Sequence, residues 1–215
     1  MSDRTLTAKL GALLSPLLDG LVRALAHVSA DVLTMTGLAL TGVASAFFAA
    51  AGGPGNNTSP ALLRLGGVIA LVAAVFDMLD GRVARIRGRG TKFGAFLDST
   101  MDRYSDMLLF MGLLILYARL ERTGLMVLVW VAAFGSFMTS YARARAESLI
   151  PQCTVGFVER PERIVLILIG AVFNRMAAAL WIIAVLANAT AIQRVVYTYV
   201  ELKKGWAREP EEGRP

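Results

Sequence analysis

Val68-Ile69-Ala70-Leu71-Val72-Ala73-Ala74-Val75-Phe76-Asp77-Met78-Leu79-Asp80-Gly81-Arg82-Val83-Ala84-Arg85 is an apolar run that closes on two aspartates and two arginines. Downstream, Gly94, Asp98 and Asp102 open a second apolar run. Charge inside a membrane segment is costly and marks function by default. Four converging carboxylates would repel one another unless a cation sat among them. The pair of stretches therefore points to membrane helices that carry a divalent-metal site at the membrane surface, with an arginine beside it.

The rest of the chain agrees with a membrane setting. Its 215 residues are 56% hydrophobic and only 18% charged, with mean hydropathy +0.58, values typical of integral membrane proteins. Cys153 is the single cysteine and His27 the single histidine, which excludes an internal disulfide and a zinc cluster built on cysteines and histidines of this chain. Acid–base work falls to carboxylates. The net charge of +6 suits anionic lipid headgroups or phosphorylated substrates, and suits equally the cytoplasmic bias of membrane-protein loops. No nucleic-acid partner is expected.

The expected fold is an all-α integral membrane protein: six transmembrane helices preceded by an amphipathic juxtamembrane helix. Leucines at 6, 10, 13, 14, 17, 18, 21 and 25 form a helical stripe that charges and Pro16 interrupt, so residues 1–29 read as an interfacial helix or one packed on the bundle. Spans are expected near 32–51, 61–85, 94–119, 123–146, 161–174 and 176–200, within a domain covering 30–204. The acidic, proline-bearing tail 205–215 reads as disordered. Basic residues Arg82, Arg85, Arg87, Arg89 and Lys92, then Arg143, Arg145, Arg160 and Arg163, then Lys203 and Lys204, fall at one end of these spans. The positive-inside rule puts that end, and the aspartates, in the cytoplasm, most simply at a prokaryotic plasma membrane.

Asp77 and Asp80 are spaced i, i+3, and Asp98 and Asp102 i, i+4, so each pair shares one helix face. The second pair is separated by about 6 Å along its axis. Gly94 and Asp106 continue that stripe. Two helix ends offering carboxylates suit hard, oxygen-seeking cations, and two ions could be held together. The plainer reading pairs the carboxylates with neighbouring arginines. Likewise Gly81 and Ala84 read as small packing residues, and Arg85 as either an interfacial anchor or a phosphate contact.

Asp77-x2-Asp80-Gly81-x2-Ala84-Arg85-x8-Gly94-x3-Asp98-x3-Asp102 resembles the signature of the CDP-alcohol phosphotransferase family at every position. The resemblance implies a six-helix membrane enzyme, usually homodimeric, that transfers the phosphatidyl-type group of a CDP-linked lipid to an alcohol and releases CMP. By the same resemblance Asp77, Asp80, Asp98 and Asp102 would hold two Mg2+ or Mn2+ ions, with Asp102 as general base. Gly81, Arg85, Thr91 and the turn Asp31-Val32-Leu33-Thr34 would contact the nucleotide or its phosphates. Ala30-Asp31 stands where the family often has Pro-Asn.

Ser140-Tyr141-Ala142-Arg143-Ala144-Arg145-Ala146-Glu147, Glu159-Arg160-Pro161-Glu162-Arg163 and Gln193-Arg194 resemble the subgroup whose acceptor is inositol 1-phosphate. Its acceptor-phosphate positions match Arg143, Arg163 and Arg194, the first commonly lysine there. Independently, Pro161 is a natural first helical residue, and arginines at i and i+3 on a helix N-terminus suit an anion. The competing reading makes these arginines membrane anchors, or partners of Glu147, Glu159 and Glu162. The implied reaction moves the phosphatidyl group of CDP-diacylglycerol to inositol 1-phosphate, giving phosphatidylinositol phosphate. Glycerol 3-phosphate as acceptor, an archaeal ether lipid as donor, and a divalent-cation carrier are the alternatives.

Overall fold

The structure, a computed structural model, describes Gly20, residues 28–86 and residues 91–206. Nearly all of the expected helix over 1–29, the basic residues Arg87 and Arg89, the Arg85 side chain and most of the expected tail lie outside the described residues. Six helices occupy the rest: α1 Ala30–Ala50, α2 Pro60–Ile86, α3 Lys92–Arg119, α4 Thr123–Glu147, α5 Arg160–Val172 and α6 Met176–Trp206. Each coincides with an expected span to within a few residues, except that α6 continues to Trp206, into the expected tail.

Four of these helices, α1, α2, α4 and α6, are long and apolar enough to cross a membrane. The other two depart from that standard for different reasons. Helix α3 is long but carries the charged cluster through its first half, and α5 has 13 residues, about 20 Å of helix against a hydrocarbon core of about 30 Å. Asn174, at φ 53°, turns the chain between α5 and α6. The chirality of an L residue makes that conformation unfavourable, and asparagine tolerates it better than most.

Helix α1 packs on α2 and α3, α2 on α5, α3 on α4, and both α4 and α5 on α6. The main core joins Phe48, Leu63, Leu113, Leu116, Val129, Leu180 and Ile183 from five of the six helices. Small residues allow close approach where polar glue is scarce. At Gly112 a Cβ would stand 2.4 Å from the Ser45 carbonyl oxygen, so α3 lies directly against α1. Ser45 Oγ donates to Leu108 O at 2.6 Å across the same seam.

The chain runs up and down, which gathers particular helix ends. The starts of α1, α3 and α5 meet the ends of α2, α4 and α6. Contacts at both ends fix this arrangement: Thr34 reaches Asp80 at one, while Arg119 reaches Ala49 O and Arg64 reaches Val172 O at the other. Every acidic and basic residue singled out from the sequence and described here belongs to the first end.

Candidate active site

Helices α2 and α3 converge there. Asp77, Asp98 and Asp102 each present a carboxylate oxygen within 4.8 Å of the others. Asp98 and Asp102 share a face by their i, i+4 spacing, and Thr91 caps α3 before them: its Oγ1 accepts from the Gly94 N–H at 2.9 Å. Thr91 thus has a structural task beside any ligand contact.

Asp80 stands apart from that trio. It is 3% exposed, receives the Thr34 hydroxyl at 2.5 Å and accepts from the Gly81 N–H at 2.5 Å. The Thr34 oxygen also lies 3.0 Å from Ala30 O, but its single proton goes to the charged, closer partner. The α1 turn is therefore tied to the acidic cluster through Thr34. Val32 is exposed, while Leu33 is buried against Leu79 and Val83 and contributes packing rather than a free side chain. Asp31 sits in the first turn of α1. A Cβ on Gly81 would meet nothing within 4 Å, so the surface beside Asp80 is open.

Arg160, the first residue of α5, enters the cluster from the side. Its Nη1 donates to Asp77 Oδ2 at 2.5 Å and lies 2.6 Å from Asp102 Oδ1, and its Nε meets Asp106 Oδ1 at 3.2 Å. Asp106 also takes Arg163 Nη2 at 2.7 Å. Asp106 thus continues the α3 stripe as an anchor for two arginines. The pairing of acids with arginines expected from the plainer reading is present, and an arginine of α5 supplies it. Local spacing could not reveal this, because the contact joins residues 83 positions apart. The expected anion site at Arg160 and Arg163 is likewise divided, since both guanidinium groups turn to carboxylates.

The donor set fits a hard divalent cation. It is all oxygen, three carboxylates converge, and no hydrogen bond reaches the buried Asp102 Oδ1 despite its proximity to Arg160. Mg2+ and Mn2+ match such ligands, with Asp77, Asp98 and Asp102 as the residues that would hold them.

A cavity of about 170 Å³ opens next to Asp102, and Arg143, Arg163 and Arg194 all line it, with Thr139, Ser140, Glu159 and Arg160. Arg194 is 2% exposed. Its Nε donates to Val155 O at 2.9 Å and its Nη1 to Thr139 O at 2.7 Å, which fixes the fork. Arg143 is half-exposed and pairs with Glu147 at 3.0 Å and Glu159 at 3.4 Å. The three arginines expected to act together do face one space, with Asp102 on its wall. Glu159 was not among the expected site residues; its place as α5 N-cap, just before Arg160-Pro161, was the available signal.

Comparison with known proteins finds similar sequences and folds. The archaetidylinositol phosphate synthase of Methanothermobacter thermautotrophicus is 41% identical over 180 residues, covering 81% of this chain and 85% of that protein. Two crystal structures of Mycobacterium tuberculosis phosphatidylinositol phosphate synthase superpose closely. The complex with manganese and citrate gives TM-score 0.73 at 32% identity, covering 86% of this chain and 88% of that one. The form with CDP-DAG bound gives 0.71 at 31%, covering 86% and 92%. The sequence pattern of the CDP-alcohol phosphatidyltransferases matches residues 27–200. The chain belongs to the CDP-alcohol phosphatidyltransferase family and is an enzyme of that class.

Proposed function

We propose that the protein transfers the phosphatidyl group of CDP-diacylglycerol to inositol 1-phosphate, as a phosphatidylinositol phosphate synthase. The observation that carries this reading is the shared cavity: three arginines face it and Asp102 forms part of its wall. An acceptor whose phosphate is held by Arg143, Arg163 and Arg194 has its hydroxyl within reach of the acidic cluster. Free inositol or serine brings no phosphate for those guanidinium groups to hold.

In this scheme Asp77, Asp80, Asp98 and Asp102 would hold two divalent ions, Asp80 with its orientation set by Thr34. Bound ions supply charge neutralisation for the pyrophosphate and the reacting phosphoryl oxygens. Asp102 takes the proton of the acceptor hydroxyl as that oxygen attacks the lipid-side phosphorus. The bond from that phosphorus to the CMP oxygen breaks, and CMP leaves. Asp31, Val32, Leu33, Thr34, Gly81, Arg85 and Thr91 form the nucleotide side, where Gly81 leaves room for a close approach.

The same proposal covers the setting. Six helices span the membrane with a juxtamembrane helix over 1–29, the domain covers 30–204 and the end segment is a polar tail. The active site faces the cytoplasm of a prokaryote, and the enzyme is a homodimer. The archaeal relative favours one further reading, with an ether-linked CDP lipid as donor. Purified protein supplied with Mg2+, CDP-diacylglycerol or its ether analogue, and either inositol 1-phosphate or glycerol 3-phosphate, tests all of these. CMP release with inositol 1-phosphate alone supports the acceptor; release with glycerol 3-phosphate alone replaces it.

A further inference from the structure

Glu159 is the N-cap of α5, and a glutamate is an unusual choice for that position. Shorter Ser, Thr, Asp or Asn side chains cap better. The cap is completed by a reciprocal pair in which the Glu159 side chain accepts from the Glu162 backbone and Glu162 accepts from the Glu159 N–H at 2.9 Å. The extra length of Glu159 has a second destination. Its Oε1 lies 3.4 Å from Arg143 Nη1 and 3.7 Å from Arg194 Nη2, inside the cavity those arginines line.

One carboxylate oxygen therefore lies between two guanidinium groups of the expected acceptor-phosphate site. Three properties make this contact displaceable. Its distances are long for charge-assisted bonds. The Glu159 side chain, part of the cavity lining, is 48% exposed. Arg194 is held in place by Thr139 O and Val155 O, so its position does not depend on the glutamate.

We propose that Glu159 is a tethered competitor for the acceptor phosphate, a specificity-determining residue that an entering phosphomonoester must displace. The carboxylate carries one charge and is attached to the chain. A phosphomonoester dianion brings three oxygens and nearly twice the charge, so it can replace Glu159 between Arg143 and Arg194. A neutral polyol cannot. Between turnovers the carboxylate keeps the arginine pair from capturing singly charged anions. This inference deepens the acceptor reading given above and rests on it for the identity of the whole acceptor, though not for the anion chemistry.

The test is calorimetric titration of inorganic phosphate into the full-length protein in detergent with EDTA present, which removes metal-bound phosphate from the signal. Glu159→Gln keeps the length and a capping oxygen while losing the charge, and should bind phosphate about tenfold more tightly than wild type. Glu159→Asp keeps charge and cap but retracts the carboxylate, and should fall between the two. In the assay, Glu159→Gln should lower the KM for inositol 1-phosphate while leaving the KM for CDP-diacylglycerol in place. Phosphate bound equally or more weakly by Glu159→Gln would overturn the competitor role, because it would make Glu159 a bystander or a ligand contact. Tighter phosphate binding by Glu159→Gln, together with a wild-type enzyme that ignores inositol 1-phosphate, would support the competitor and overturn only the named acceptor.

Discussion

Arg160 Nη1 donates to Asp77 Oδ2 at 2.5 Å, a contact that pins the start of α5 onto the end of α2. The same nitrogen lies 2.6 Å from Asp102. One guanidinium thus compensates two of the three carboxylates that would hold a cation, and its Nε serves Asp106. The site is a balance between an internal cation and external ones, and that balance can be measured.

Replacing Arg160 by alanine should destabilise the metal-free protein more than the metal-bound one. Removing one member of this part-buried cluster leaves carboxylates uncompensated and should cost about 2–3 kcal/mol, below the range for a fully buried pair. In Arg160→Ala, EDTA-treated protein should melt roughly 5–10 °C below wild type. Mg2+ or Mn2+ should restore much of the loss, so the metal-induced rise in Tm exceeds that of wild type. An equal Tm loss with and without metal would show that Arg160 supports the fold without regard to the acids around it.

Asp102→Asn should abolish turnover while CDP-diacylglycerol still binds. The substitution keeps shape but removes the carboxylate proposed to accept the proton, and positioned general bases contribute about 10²–10⁴-fold. Loss of a metal ligand adds to that. The measurement pairs CMP release with a direct titration of the CDP lipid. Turnover near wild type would take the base role away from Asp102.

Much of the fold was legible because hydrophobic runs and helix boundaries are local properties. All six helices coincide with runs read from the sequence, and the i, i+4 spacing put Asp98 and Asp102 on one face of α3, whereas Asp80, three residues after Asp77, engages Thr34 and Gly81 outside the trio. What spacing did not convey was which distant residue would complete each charge. Arg160 joins α2 and α3 from α5, Glu159 meets Arg143 and Arg194 from two other helices, and Thr34 fixes Asp80 from α1. These contacts depend on how helices rotate about their axes when packed, which no short stretch specifies. The membrane character of α3 and α5 was also the weakest signal, since charge in one and length in the other leave the standard pattern.

The seam between α1 and α3 is a test of the packing alone. A methyl group at Gly112 would be driven into the Ser45 carbonyl and hydroxyl, with ideal distances of 2.4 and 2.7 Å. Backbone on one side and a hydrogen-bonded serine on the other leave little room to yield. Gly112→Ala should cost about 1–3 kcal/mol, seen as a lower Tm in detergent. A Tm equal to wild type would show that α1 and α3 separate freely. That result would remove the support for a rigid link between the Thr34 turn and the acidic cluster.

Arg194 provides the sharpest test of the acceptor pocket. It is 2% exposed and holds Val155 O and Thr139 O with two of its nitrogens, leaving Nη2 on the side of Glu159. Arg194→Ala should raise the KM for inositol 1-phosphate by about 10–100-fold, the equivalent of a charge-assisted hydrogen bond worth about 1.5–3 kcal/mol. The KM for CDP-diacylglycerol should stay within about twofold of wild type, since the proposed nucleotide contacts belong to α1, α2 and the N-cap of α3, away from Arg194. Two carbonyls lose their partner as well, so some loss of Tm accompanies the change and does not by itself decide the role. Arg194→Lys separates the two effects: it keeps the charge but cannot supply the planar fork, so it should recover part of the acceptor affinity. Equal rises in both KM values, with no recovery by lysine, would make Arg194 a brace for the loop at Val155 rather than a phosphate ligand.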